Sequence, residues 1–86
     1  MIVKTWPAWW HWELEFVPHL LKRMVDRDFD EVQLRLMLER AIRYRPDVVD
    51  GRFTIETHHA NRNWEVIVEP DDADELLVVI TAYPVD

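Results

Sequence analysis

The chain has 86 residues, 49% hydrophobic and 31% charged, with a formal net charge of -7, which fits one small globular domain and excludes a disordered chain. Cys and Ser are absent, which removes thiolate and serine nucleophiles, disulfides and cysteine zinc sites. Gly51 is the only glycine, so neither a P-loop nor the dinucleotide fingerprint fits, since both need several glycines for close phosphate approach.

A single domain over residues 1–86 is expected, with residues 1–8 as a Trp-containing N-terminal extension. From Trp9 to Val17 the residues alternate, with Trp10, Trp12, Leu14 and Phe16 on one face and His11, Glu13 and Glu15 on the other, which predicts a strand with one wet side. Pro18 suits the first position of a helix, where its missing amide would have had no partner, although Val17 is a poor N-cap. The helix predicted to about Arg27 presents Leu20, Leu21, Met24 and Val25 as its apolar side, and His19, Arg23 and Arg27 follow at spacing four along one border of it. Asp30 and Gln33 can form a capping box for a second helix, predicted to run to about Tyr44 with Leu34, Met37, Leu38, Ala41 and Ile42 as its core positions.

After Pro46 the chain switches to strand chemistry, over Arg52 to His59, Asn63 to Glu69 and Glu75 to Tyr83. Short polar connections near Asn61 and from Pro70 to Asp74 predict antiparallel hairpins. The last strand is apolar on both faces and reads as central. The expected architecture is α+β, with two helices packed on one face of a four-stranded, mainly antiparallel sheet in the order β-α-α-β-β-β.

The charge is unevenly spread. Pro18 to Arg45 carries seven basic and five acidic residues, whereas Gly51 to Asp86 carries two basic and eight acidic. A basic face can therefore coexist with an acidic whole, because a phosphate feels charges within a Debye length of about 10 Å. The longest apolar run, Leu76 to Ile80, is far short of a membrane span. No signal-peptide pattern is present, and a soluble cytoplasmic protein is expected.

With Ser and Cys absent, acid-base chemistry by His11, His19, His58 or His59 is the main catalytic option. His19 and Arg23 lie one helical turn apart and can meet a common anion, the imidazole handling a proton and the guanidinium holding the charge. The alternative is a solvated helix edge. Strand parity puts Thr54, Glu56 and His58 on one face of their strand and Phe53, Ile55, Thr57 and His59 on the other. It also puts Leu77, Val79, Thr81 and Tyr83 on one face of the last strand, where the two hydroxyls are either a rim of the core or donors to a phosphate beside a histidine on an adjoining strand. Trp6, Trp9, Trp10 and Trp12 suit core or oligomer packing better than base stacking, with Trp6 and Trp9 left over for a contact between chains. The five carboxylates from Glu69 to Glu75 lack EF-hand spacing and read as a solvated hairpin tip. His58 and His59 point to opposite faces and make a poor zinc pair, so no metal and no cofactor are expected.

The ordered segments Pro18-His19-Leu20-Leu21-Lys22-Arg23-Met24, Asp30-Glu31-Val32, Trp64-Glu65-Val66-Ile67-Val68 and Val78-Val79-Ile80-Thr81-Ala82-Tyr83-Pro84 resemble small bacterial domains with a PHxxxRMxxR helix and a closing VVTAYP strand. Those domains are grouped with the barnase, EndoU, colicin and RelE ribonuclease-toxin fold, and the likeness spans about Trp12 to Pro84. The resemblance implies a metal-independent endoribonuclease in which a general base activates the ribose 2'-OH. By position it carries over His19, Arg23, Arg27, Thr81 and Tyr83, and the expected catalytic set is His19, Arg23, His58, Thr81 and Tyr83, with Lys22, Arg27 and Arg62 binding RNA; His58 has the strand but no motif letter. A cognate antitoxin, or self-association through Trp6 and Trp9, is the partner it suggests. The alternative is a catalytically inactive interaction module of the same fold, self-associating or antitoxin- or immunity-like.

Overall fold

The structure, a computed structural model, describes residues 6–85. Residues 1–5 of the expected N-terminal extension lie outside the described residues. A 3-10 turn over Ala8–His11 leads into β1 (Glu13–Phe16), α1 (Pro18–Asp26), α2 (Glu31–Glu39), β2 (Arg43–Pro46), β3 (Phe53–His59), β4 (Arg62–Asp71) and β5 (Leu76–Val85). The five strands form one sheet in the order β1-β5-β4-β3-β2. β1 runs parallel to β5 and the other neighbours are antiparallel.

The fold class is α+β as expected, with two differences in the sheet. A fifth strand, β2, begins within the residues placed at the end of the second helix and runs on to Pro46, and the β1–β5 pairing is parallel. α2 stops at Glu39 because the pattern breaks one residue after the last helical bond, from Arg40 N–H to Leu36 O: Ala41 N–H turns to Leu38 O, and the Thr57 hydroxyl takes Met37 O. Ile42 N–H then donates to Glu56 O at 2.8 Å, which starts the pairing of β2 with β3. The strand expected from Trp9 is shorter too. Trp10 N–H bonds Pro7 O and Trp12 N–H bonds Trp9 O, so Ala8–His11 coils and only Glu13–Phe16 is extended.

α1 begins at Pro18 with no side-chain cap from Val17. It ends in a Schellman turn: Phe29 N–H bonds Met24 O, Asp28 N–H bonds Val25 O, and Asp28 takes a left-handed φ of 57°. Phe29 and Met24 are both buried there, supplying the apolar contact that accompanies this turn. The capping box of α2 forms as the sequence spells it, with Gln33 N–H donating to Asp30 Oδ1 and Asp30 N–H donating to Gln33 Oε1.

Both helices cover one face of the sheet. Leu20, Met24, Leu34, Met37 and Leu38 pack with Ile55, Trp64, Val66, Val68, Leu77, Val79 and Ala82 in a single core. Trp6, Trp9 and Trp10 extend that layer over Tyr44 and Phe53: Trp6 stacks on Trp10 at 4.3 Å, and Trp9 lies 5.0 Å from Phe53. The two indoles expected to be spare for an intermolecular contact are thus packed within the chain. The opposite sheet face has no helix over it and carries Glu56, His58, Glu65 and Glu69, with Thr54 and Ile67 buried on the same side. Among the described residues no helix is long and apolar enough to cross a membrane.

Candidate functional site

α1 lies beside β5, and one hydrogen bond fixes how. β1 ends at Phe16, opposite Val79, so the rest of β5 has no strand on its outer side. Arg27 fills part of that gap by donating from Nη1 to Ala82 O at 2.8 Å. The border of α1 that carries Arg27 also carries His19 and Arg23, and this border is therefore turned toward the unpaired edge of β5. Arg23 Nε donates to His19 Nε2 at 3.5 Å, and Arg23 also faces Asp26 at 3.6 Å. The two side chains stand side by side, as their spacing of one helical turn requires. Nε2 is thus the ring nitrogen turned toward the Arg23 guanidinium. Lys22 is exposed on the outer side of the same helix.

A bulge in β5 decides where the hydroxyls go. Ile67 pairs with Thr81 and Val68 with Val79, so Ile80 is an extra residue and the parity of the strand reverses across it. Leu77 and Val79 face the core, whereas Thr81 and Tyr83 turn to the open face. This corrects the expectation that all four share a face. The Thr81 hydroxyl has no protein partner among the described residues, and Thr81 is next in chain to the carbonyl that Arg27 holds. Tyr83 is engaged: its hydroxyl donates to Glu65 Oε1 at 2.8 Å. Burial, followed by the hydrogen bond and charge of Glu65, pushes its pKa up to about 12, so it remains a protonated donor at neutral pH.

The other expected site residues stand elsewhere. His58 is on the open face but on β3, with β4 between it and β5, and its register neighbours are Asn63 and then Val85. β1, which leads into α1, ends level with Val79, so His19 at the start of α1 and His58 on β3 stand at different levels of the sheet. His58 shares a hollow with Arg40, Asn61 and Asn63. His59 turns to the core face and meets the edge of Trp64 at 5.4 Å. Arg62 begins β4 beside the same turn.

Sequence reasoning missed a polar group that links several strands among the described residues. On the open face Arg45 donates to Glu56 Oε2 at 3.3 Å and to Glu65 Oε2 at 3.2 Å, and Arg43 lies 3.6 Å from Glu56. Beside it, Thr54 donates to Asp47 Oδ1 at 3.0 Å and Arg52 to Glu69 at 3.1 Å. The hydrogen bonds that Asp47 accepts, chiefly from Val49 N–H, hold its carboxyl below the usual carboxylate range. The signal that exposes this group is the period-two spacing of Arg43 and Arg45, which reads as charge only once these residues are placed in a strand. Compared with family models, curated proteins and solved structures, the chain matches none.

Proposed function

We propose that the chain is an endoribonuclease that cleaves RNA by general acid-base attack of the 2'-OH without a metal ion, at the edge of β5 beside α1. The observation that carries this reading is the contact of Arg23 Nε with His19 Nε2, on the helix border that Arg27 ties to Ala82 O. In this reading an incoming phosphate displaces Arg23 from the imidazole and is held by the guanidinium. His19 Nε2 then takes the proton of the 2'-OH as that oxygen attacks phosphorus, the bond from phosphorus to the 5'-oxygen breaks to leave a 2',3'-cyclic phosphate, and the departing 5'-oxygen takes up a proton from the imidazolium so formed or from water. The free hydroxyl of Thr81 donates to a non-bridging oxygen as charge builds there. Tyr83 is a buttress of the strand, since its proton is committed to Glu65, and His58 and Arg62 lie outside this catalytic group.

A second reading also rests on an observation. Leu21 is 51% and Val25 81% exposed, one turn apart on the other border of α1, as suits an interaction module of the same fold with a protein partner.

The test is incubation of the purified chain with total RNA in EDTA, beside His19→Ala and Arg23→Ala. His19 is exposed, so its loss should leave the far-ultraviolet spectrum unchanged. Fragments ending in 2',3'-cyclic phosphate are expected from the wild type, falling by roughly 10²–10⁴ in rate for His19→Ala. A salt-dependent RNA affinity, lessened in Arg23→Ala, should accompany cleavage. Folded wild-type protein that cuts no RNA would transfer the conclusion to the interaction module.

A further inference from the structure

A second candidate site lies toward the start of β5, away from Thr81. Between the 3-10 turn, β1 and the last turn of α2 is a cavity of about 460 Å³, within the range of small-molecule sites. Its apolar lining is Leu14, Leu38 and Leu77 together with the indoles of Trp10 and Trp12. Leu38 and Leu77 are buried core residues, so that part of the lining is fixed by the fold.

Both signs of charge line the cavity, and the cation is the one already paired. Arg35 lines the cavity, but its guanidinium is bonded to Glu31 Oε1 at 2.9 Å and lies 6.0 Å from the centre of the Phe16 ring. Glu39 also lines it and has no ion pair among the described residues. Glu39 closes α2, whose last turn contains no basic side chain, so the carboxylate adds to the negative end of the helix. Arg40, the next residue, lines the separate hollow beside His58 and Asn63. His11, the remaining polar residue of the lining, is exposed. Aromatic walls and an uncompensated carboxylate together favour a cation with an apolar body, since indole faces attract positive charge and the leucines accept a ring.

We propose that this cavity binds an aromatic organic cation of the arylalkylammonium class, its ring among Trp10, Trp12 and the leucines and its ammonium on Glu39. The proposal is independent of the ribonuclease reading.

Phenethylamine is the probe, with 2-phenylethanol and phenylacetate as neutral and anionic controls of similar size, followed by backbone amide shifts of the ¹⁵N-labelled chain. The amine should move the amides around Trp10 to Trp12, Leu38 to Glu39 and Leu77, and bind about tenfold tighter than the alcohol; phenylacetate should bind weakest. Glu39→Gln, an exposed change that keeps the shape, should bring the amine down to the level of the alcohol. Trp12→Leu should weaken amine and alcohol alike. The proposal is overturned if the amine moves no amides around the cavity, if it binds no tighter than the alcohol, or if Glu39→Gln keeps the preference for the amine.

Discussion

Glu56 and Glu65 face each other directly across β3 and β4, and Arg45 donates one hydrogen bond to each. Like charges in opposed positions of a sheet repel. Arg45 offsets that repulsion from β2, while the Tyr83 hydroxyl takes a further oxygen of Glu65. The group ties together β2, β3, β4 and β5, four of the five strands. Arg45→Leu should therefore destabilise the domain by more than its own exposed ion pairs are worth, about 1–2 kcal/mol, because it leaves two facing carboxylates with only Arg43, beside Glu56, to offset them. Adding Glu65→Gln should recover much of the loss. Urea denaturation of the two single variants and the double variant tests the coupling, and strict additivity would contradict it.

Tyr83 gives the alkaline limb of the stability curve a specific origin. Its phenol ionises at about 12 in the fold, against roughly 10 in an unfolded chain. A raised folded pKa contributes stability that is fully present below the unfolded value and is lost as pH rises through the folded one. The stability advantage of the wild type over Tyr83→Phe should accordingly be constant up to about pH 10 and shrink from there to about pH 12. Denaturation curves of both proteins at successive pH values measure it, and parallel alkaline losses would remove Tyr83 as the cause.

Local signals in the sequence were reliable where one residue type dictates a backbone state. Pro18 starts α1, the Asp30–Gln33 box starts α2, and the parity of β3 separates His58 from His59 as expected. The pairing of His19 with Arg23 follows from helical spacing alone. The failures all come from tertiary contacts. The apolar spacing of Ala41 and Ile42 continues the helical pattern, but Thr57 on β3 takes the Met37 carbonyl and Glu56 O takes the Ile42 amide. Trp9 to Trp12 alternate like a strand, yet the indoles gain more by stacking on one another and on Tyr44 and Phe53 in a tight turn. The bulge at Ile80 lies in an apolar run where either face is acceptable, so no change of polarity announces the reversal that turns Thr81 and Tyr83 outward.

The β3–β4 turn is built on residues poorly suited to it. Ala60 and Asn61 both have left-handed φ, 51° and 62°, which identifies a two-residue type I′ turn. Asn tolerates that region, whereas alanine pays roughly 1–2 kcal/mol for it. Replacing the pair by Asn-Gly, through Ala60→Asn and Asn61→Gly, should stabilise the domain by about 1–2 kcal/mol, or roughly 5–10 °C in melting temperature at this size. Thermal unfolding monitored by circular dichroism reads the shift directly. The His58 hollow beside the turn is outside the proposed catalytic edge, so RNA cleavage should be unaffected.

Arg27 and Arg23 occupy the same border of α1 and should behave differently when shortened. Arg27 satisfies the Ala82 carbonyl on a stretch of β5 that has no strand beside it, and removing the donor leaves that partly buried acceptor unpaired. Arg23, 38% exposed in its side chain, meets only His19 and Asp26 among the described residues. Arg27→Met should cost about 1–3 kcal/mol of stability, while Arg23→Met should fall within about 0.5 kcal/mol of wild type. On the ribonuclease reading the order inverts for RNA affinity, because only Arg23 is released to hold phosphate. Urea unfolding and filter binding at several salt concentrations, made on the same two variants, separate an arginine that holds the sheet edge from one that holds the substrate. Equal stability losses would mean that the Arg27–Ala82 contact does not anchor α1.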